Sequence, residues 1–261
     1  MPDTNPEHLP SSALGTKAYW DSLYTNEVKN HAANPSDRGT VWFDDSDAEA
    51  KILSYLATED LPRDTTTFLD LGCGNGSLLF ALRDAGADSS DNDDDQEQDE
   101  GADAPKESWT GRMLGVDYSP RSIELATSIQ ASRPSDPCLK FQTWDILSGP
   151  LLEVLNDTQA QAQAGWDVVL DKGTFDAISL SSETDSQGRR LNEGYRDRVL
   201  GLVKKGGFFI ITSCNWTEPE LRKWFEDREG FVLDGRVEYR TFSFGGVKGQ
   251  PITTLCFKRI D

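Results

Sequence analysis

The stretch FLDLGCGNGSLL, residues 68–79, leaves this chain few ways to fold. Three glycines at alternate positions, Gly72, Gly74 and Gly76, follow an apolar run that ends in one carboxylate, Asp70. Glycine is needed where φ must be positive or where another group comes close to the main chain, so three in five residues point to a ligand lying on the backbone. Before them, 66–71 is short, apolar and β-prone, as a buried parallel strand is. After them, 77–85 repeats its apolar residues at helical spacing. Strand, glycine turn and helix follow. In an open α/β sheet such a turn lies at the carboxyl ends of the strands, with the helix N-terminal amides facing the ligand.

From Asp70 onward the hydrophobic period switches between two and 3.6. The spacing predicts strands near 66–71, 112–117, 139–144, 166–171, 207–213, 231–239 and 252–258, and helices near 76–86, 119–132, 148–163, 189–203 and 217–228. Strands alternating with helices mean parallel βαβ units. The last two strands are joined by RTFSFGGVKGQP without a helix, so they form an antiparallel hairpin. The expected fold class is α/β: a mostly parallel seven-stranded sheet ending in that hairpin, with helices on both faces. Two further helices precede the first strand and lie over its open end. ALGTKAYWDSLYTNEV puts Tyr19, Trp20, Leu23 and Tyr24 on one side. DSDAEAKILSYLATE has Ser46 or Asp47 as cap and Ile52, Leu53 and Leu56 as its apolar side.

Residues 1–13 are polar and proline-bearing and are expected to be disordered. The remainder, 14–261, reads as one domain. Charge is concentrated in one place: of a net −19, residues 88–107 carry −9, from ten acidic residues and one lysine. That run cannot bury enough apolar surface to order itself and reads as a disordered surface insertion. Net acidity argues against direct binding of nucleic acid or an anionic membrane. No signal peptide or membrane-length apolar run is visible, so a cytoplasmic protein is expected. Four dispersed cysteines without a CxxC pair, and two histidines, argue against a metal site or a disulfide framework.

The glycines read G-x-G-x-G, not the G-x-G-x-x-G of dinucleotide sites. Further positions discriminate. A free ribose needs an acceptor at the end of the second strand, and MLGVDYSPRSIELA places Asp117 there once the acidic insertion is discounted. FQTWDIL ends the next strand in Asp145, an acceptor for the amine of adenine, with Ile146 as an apolar wall. WDVVLDKGTFDAI ends a fourth strand in Asp171. Four strand-end carboxylates suit S-adenosylmethionine, which offers a diol, an adenine, an ammonium and a sulfonium but no phosphate.

With these motifs the chain, from about Leu14 onward, resembles the seven-β-strand, Rossmann-like methyltransferases. DLGCGNG resembles their first motif, VDYS their ribose-binding motif and WDIL their adenine motif. DKGTFDAI resembles a subgroup that methylates protein lysines. YWDSLYTNE, VWF, SCNWTEPEL and FSFGG together resemble the elongation factor 1-alpha lysine methyltransferases. The resemblance implies a cofactor site of Asp70, Gly72, Cys73, Gly74, Asn75 and Gly76 around the methionine portion, and Asp117, Tyr118 and Ser119 at the ribose. Asp145 and Ile146 would flank the adenine, Asp171 would stand at the pocket mouth, and Trp20 and Trp42 would close the site or pack in the core.

Transfer from a sulfonium is an in-line displacement and needs no metal and no enzyme nucleophile. S-adenosylhomocysteine would be the product. Asp171 is the candidate for orienting the lysine amine or passing its proton to water, and Thr174, Phe175, Asn215 and Trp216 are candidates for a lysine channel. Lys172 either pairs with Asp171 or is solvated. Nucleic-acid adenine methyltransferases carry [DN]-P-P-[YW] where this chain reads Asp171, Lys172, Gly173, Thr174. A nucleic-acid substrate is therefore not expected; the resemblance implies elongation factor 1-alpha as the partner, and a monomer is the expected state. A small-molecule methyltransferase and a non-catalytic cofactor-binding subunit are the alternatives.

Overall fold

The computed structural model describes residues 6–85, 108–155, 165–226, 229–240, 242–244 and 247–260. The acidic insertion read at 88–107 lies outside them.

Seven strands form one sheet: β1 (Phe68–Leu71), β2 (Met113–Asp117), β3 (Leu139–Thr143), β4 (Trp166–Lys172), β5 (Val203–Ser213), β6 (Phe231–Val237) and β9 (Thr253–Arg259). Their order is β3-β2-β1-β4-β5-β9-β6. The first five are mutually parallel, and β9 runs antiparallel to both β5 and β6. The expected hairpin of the last two sheet strands is present, with β9 wedged between β5 and β6. The link between them carries a separate two-stranded ribbon, β7 (Phe242–Phe244) with β8 (Val247–Gly249).

Alternation along the buried strands sends side chains into two cores. Phe68, Met113, Val168, Leu170, Phe208 and Ile210 meet α1 (Lys17–Ala33), α2 (Ala48–Thr58), α3 (Ser77–Asp84) and α4 (Pro120–Ala131). Leu69, Leu71, Val116, Val169, Phe209 and Ile211 meet α5 (Thr174–Ser179), α6 (Tyr195–Leu202) and α7 (Glu218–Phe225). The change of face comes between β1 and β4, where neighbouring connections leave in opposite directions. That is the switch point at which open α/β sheets bind ligands.

Local chemistry accounts for several boundaries. Thr16 caps α1 through Tyr19 N–H, and Thr217 and Glu220 form a capping box on α7. Asp47 does precede α2, but in a left-handed conformation (φ 53°) without a side-chain cap. Three expectations change. Of the helix read at 148–163, the described part holds a 3-10 turn, Leu151–Glu153, and 156–164 lie outside the described residues. The helix read at 189–203 opens as a 3-10 turn, Leu191–Gly194, before α6. Helix α5 is additional; at six residues it is too short to show a period. Of the N-terminal residues 1–13 that composition would leave without order, the described ones include Leu9 and Ser12, tied to the α5 side. Ser12 N–H donates to the Leu180 carbonyl (3.1 Å), and Arg190 donates to that of Leu9 (3.4 Å). Among the described residues no helix is long and apolar enough to cross a membrane.

Candidate active site

Strand register decides which strand-end residues can meet. Asp70 lies level with Gly115 of β2 and Leu170 of β4, and Leu71 lies level with Asp171. Side chains alternate between faces. Asp70, Asp117 and Lys172 therefore project from one face, and Asp171 from the other.

On the first face a cleft opens over the glycine turn. It is lined by Tyr24, Thr40, Trp42, Asp70, residues 72–75, Ser77 and Lys172. Gly72 and Gly74 have φ of 65° and 57°. A Cβ on Gly72 would stand 2.0 Å from the Thr174 hydroxyl oxygen, and one on Gly74 2.8 Å from that of Tyr24. The bare backbone thus admits protein groups as well as opening the cleft. Gly76, at the N-cap of α3, lies against the Phe141 ring.

Asp70 is 3% exposed, and among the described residues no hydrogen bond reaches its carboxylate. Burial pushes it up to about 8; Lys172 opposes the shift, and Glu49, Asp171 and Asp117 add to it. The Lys172 ammonium donates to the Trp42 carbonyl (3.1 Å) and lies 3.4 Å from a Glu49 carboxylate oxygen. That same Glu49 oxygen accepts from Ser77 Oγ (2.5 Å). Lys172 is thus neither paired with Asp171 nor solvated. Trp42 Nε1 is buried and has no partner among the described residues.

Asp117, also buried, flanks the turn. Its oxygens accept from Gly74 N–H (3.2 Å) and Ser119 N–H (2.8 Å), and burial, opposed by these bonds, pushes it up to about 6. Ser119 Oγ donates to Asp21 (2.6 Å), fastening α1 to the start of α4, and the Lys17 ammonium stands 5.3 Å from the centre of the Tyr118 ring. Asn75 ties the incoming segment over the turn, donating to the carbonyls of Arg38 (2.8 Å) and Thr40 (3.3 Å). Cys73 is buried and its thiol is pushed well up, chiefly by burial, so it is a small inert residue. Trp20 stands behind Trp42, ring centres 5.3 Å apart, with its N–H on the Leu14 carbonyl. Asp145 accepts from Leu147 N–H (2.9 Å) and Ser148 Oγ (2.6 Å), closing the turn after β3. Ile146 is buried in the core of the opposite face.

Expectations on the β4 side are corrected. Asp171 is 1% exposed, and its oxygens accept from Thr174 N–H (2.8 Å), Phe175 N–H (3.0 Å) and Tyr195 OH (2.5 Å). Burial pushes it up to about 7 against these bonds. It fastens the start of α5 to α6. Phe175 and Trp216 are core, with ring centres 6.1 Å apart among Trp224, Tyr195 and Phe225. Asn215 N–H donates to Ser213 Oγ (3.1 Å), and the Thr174 hydroxyl donates to the Leu71 carbonyl (2.6 Å). The four residues do not line a common channel. Tyr24, Thr40 and Ser77 line the cleft, and Glu49 stands against Lys172 and Ser77, without having been singled out as site residues; of these, Tyr24 alone carried a signal, on the aromatic side of the first helix.

The donor set fits an adenosyl amino acid. A buried acid without hydrogen bonds suits an ammonium, an acid at the second strand end retains lone pairs for hydroxyls, and an orphaned indole N–H awaits an acceptor. Residues 62–246 match the methyltransferase domain family, to which the chain belongs. Solved structures agree on the fold. A chain of the Haloferax volcanii Trm112 methyltransferase activator complex superposes with a TM-score of 0.56 at 15% identity, covering 92% of this chain and 97% of that one. Magnesium protoporphyrin IX methyltransferase of Synechocystis with bound S-adenosylhomocysteine gives 0.52 at 15% identity, covering 93% and 97%.

Within that class the chain belongs to the protein-lysine methyltransferases. It is 38% identical to protein-lysine N-methyltransferase efm4 of Schizosaccharomyces pombe, over 96% of this chain and 95% of that protein. It is 35% identical to EFM4 of Saccharomyces cerevisiae, over 95% and 96%. Human EEF1A lysine methyltransferase 2 is 32% identical, over 95% and 88%.

Proposed function

We infer that the chain transfers methyl groups from S-adenosylmethionine to a lysine side chain of translation elongation factor 1-alpha. The observation that carries this is the near full-length likeness to lysine methyltransferases, several named for that factor, on a chain whose switch-point cleft suits an adenosyl amino acid. The cofactor, when bound, supplies an electrophilic methyl group on a sulfonium. Everything else falls to the protein. Asp70 would hold the cationic amino-acid end, Asp117 the ribose hydroxyls and Asp145 the adenine amine. The turn at 72–76 would support the methionine portion from below, and Trp42 would cover it. The incoming lysine, pKa about 10.4 in water, must arrive neutral; a desolvated site beside a fixed cation favours that form. Alignment of amine, methyl and sulfur then provides most of the acceleration.

A net charge of −19 supports a protein substrate over nucleic acid, and four unpaired cysteines suit a reducing cytoplasm. A monomer is the working state. The test is intact and peptide mass spectrometry of unmethylated elongation factor 1-alpha incubated with the protein and cofactor, beside a Gly74→Arg variant. Methyl-sized increments on one lysine, absent with the variant, are expected. Cofactor binding without any increment overturns the substrate assignment.

A further inference from the structure

Phe43 holds a backbone conformation that a bulky side chain seldom adopts. Its φ is 64°, and among the described residues Asp47 is the one other non-glycine with a positive φ. Strain of that kind persists where the surroundings enforce it, and it collects at binding sites. Here it parts two neighbouring rings. Trp42 lines the cleft and is pinned through its carbonyl by Lys172, whereas Phe43 turns to the end of β4 and lies against Gly173. A Cβ on Gly173, where φ is 91°, would stand 3.3 Å from Phe43 Cε2. Bare main chain and ring thus make one apolar surface, and both residues keep part of it exposed. Phe43 packs against buried Ala48, Tyr239 and Ile252, and the Tyr239 hydroxyl is held by Thr254 (2.7 Å), itself bonded to Thr212 (2.8 Å). Thr212 lies level with Lys172, so this support reaches back to β4.

The function proposed above lays the methyl donor along the carboxyl edge of the sheet, with adenine at β3, ribose at β2 and the amino-acid end at β1; β4 is next in order. The Asp21–Ser119 bond closes the β2 side, and Asn75 ties the carbonyls of Arg38 and Thr40 over the turn. We propose that the acceptor lysine comes in over β4 with its alkyl chain along Phe43 and Gly173, and that Phe43 is the specificity-determining wall for that chain. The ring shields the methylenes from water and offers its face to the ammonium before the proton leaves, and the lost water favours the neutral amine. The assignment rests on that reading and concerns the acceptor, not the donor.

The test separates acceptor from donor. Methylation rates of the full chain are measured against varied, unmethylated elongation factor 1-alpha at saturating S-adenosylmethionine, beside calorimetric titration with S-adenosylhomocysteine. Phe43→Asn removes the ring but keeps a residue that tolerates left-handed backbone. It should raise KM for the factor about tenfold, the scale of two methylenes losing their cover, with kcat within about threefold and S-adenosylhomocysteine affinity within about twofold. Phe43→Tyr should recover most of the loss. Gly173→Ala, which pushes on the ring from the β4 side, should raise KM in the same direction and takes over the test where Phe43→Asn does not fold. A parallel loss of S-adenosylhomocysteine affinity would mean that Phe43 only props Trp42, and it overturns the wall. An unchanged KM in folded Phe43→Asn, or failing that in Gly173→Ala, does so too, and both results leave the substrate reading standing. An unaltered protein that binds S-adenosylhomocysteine yet leaves the factor unmethylated overturns that reading, and the wall with it.

Discussion

Asp70 and Asp171 sit on neighbouring strands, one register step apart, both almost wholly buried and both pushed far above the usual carboxylate range. Their surroundings differ in kind. Asp171 accepts from two backbone N–H groups and a tyrosine hydroxyl, all within its own face of the sheet. Asp70 accepts from nothing among the described residues and looks across a cleft at a lysine. A buried acid whose oxygens are taken is architecture. One left without partners is held for something that comes and goes.

Substitutions can break this contrast. Asp171→Ala strands three buried donors and should cost about 3 kcal/mol or more of stability in urea unfolding. If Asp171→Asn kept its unfolding midpoint and lost all turnover, Asp171 would belong to the chemistry and the contrast would collapse. Gly72→Ala places a methyl carbon against the Thr174 hydroxyl at a positive φ. It should cost about 2 kcal/mol by the same measurement and also weaken cofactor binding, because that turn belongs to both faces.

Asp70→Asn should do the reverse: weaken S-adenosylhomocysteine roughly tenfold while leaving the fold as stable or more so. The sign follows from linkage. The Asp70 carboxyl titrates near 8 when folded and near 4 when unfolded, so the native state binds more protons between those values. Stability contributed by this group is greatest at low pH and falls as pH rises through that window. Thermal melts from about pH 5 to about pH 8 should slope downward in the unaltered protein and less steeply in Asp70→Asn. An unchanged slope would show that the carboxyl is solvated and the cleft ordinary. The smallest effect belongs to Asp145→Ala, which removes one turn closure on a half-buried site and should cost about 1 kcal/mol in the same melts.

The legible parts of this molecule are those written locally. Glycines in alternation, an apolar strand before them and a helix after them need no distant partner, and the β1–α3 turn and Asp117 fall where spacing puts them. Asp171 was misread by a single step of the strand period. It ends its strand as Asp70 and Asp117 end theirs, but register puts Lys172 on their face, and one residue of offset reverses every side chain. Phe175 and Trp216 lie with Asp171 on the opposite face, in its core. Thr40 and Tyr24 reach the cleft, and Glu49 reaches Lys172 beside it, from segments preceding β1. Their placement depends on side-chain ties, Asn75 to 38 and 40 and Ser119 to Asp21, that no local pattern announces.

The wedged position of β9 bears on how the chain comes together as it is made. β6 has one neighbour in the sheet, β9, and that neighbour is synthesised after it. Until β9 arrives, β5 presents an open hydrogen-bonding edge and β6 has nothing to pair with, although the five parallel strands can already pair with one another. Closure is therefore an insertion between two waiting strands. Nascent-chain capture or strand exchange between copies, should either occur, would begin in that interval and at those two edges.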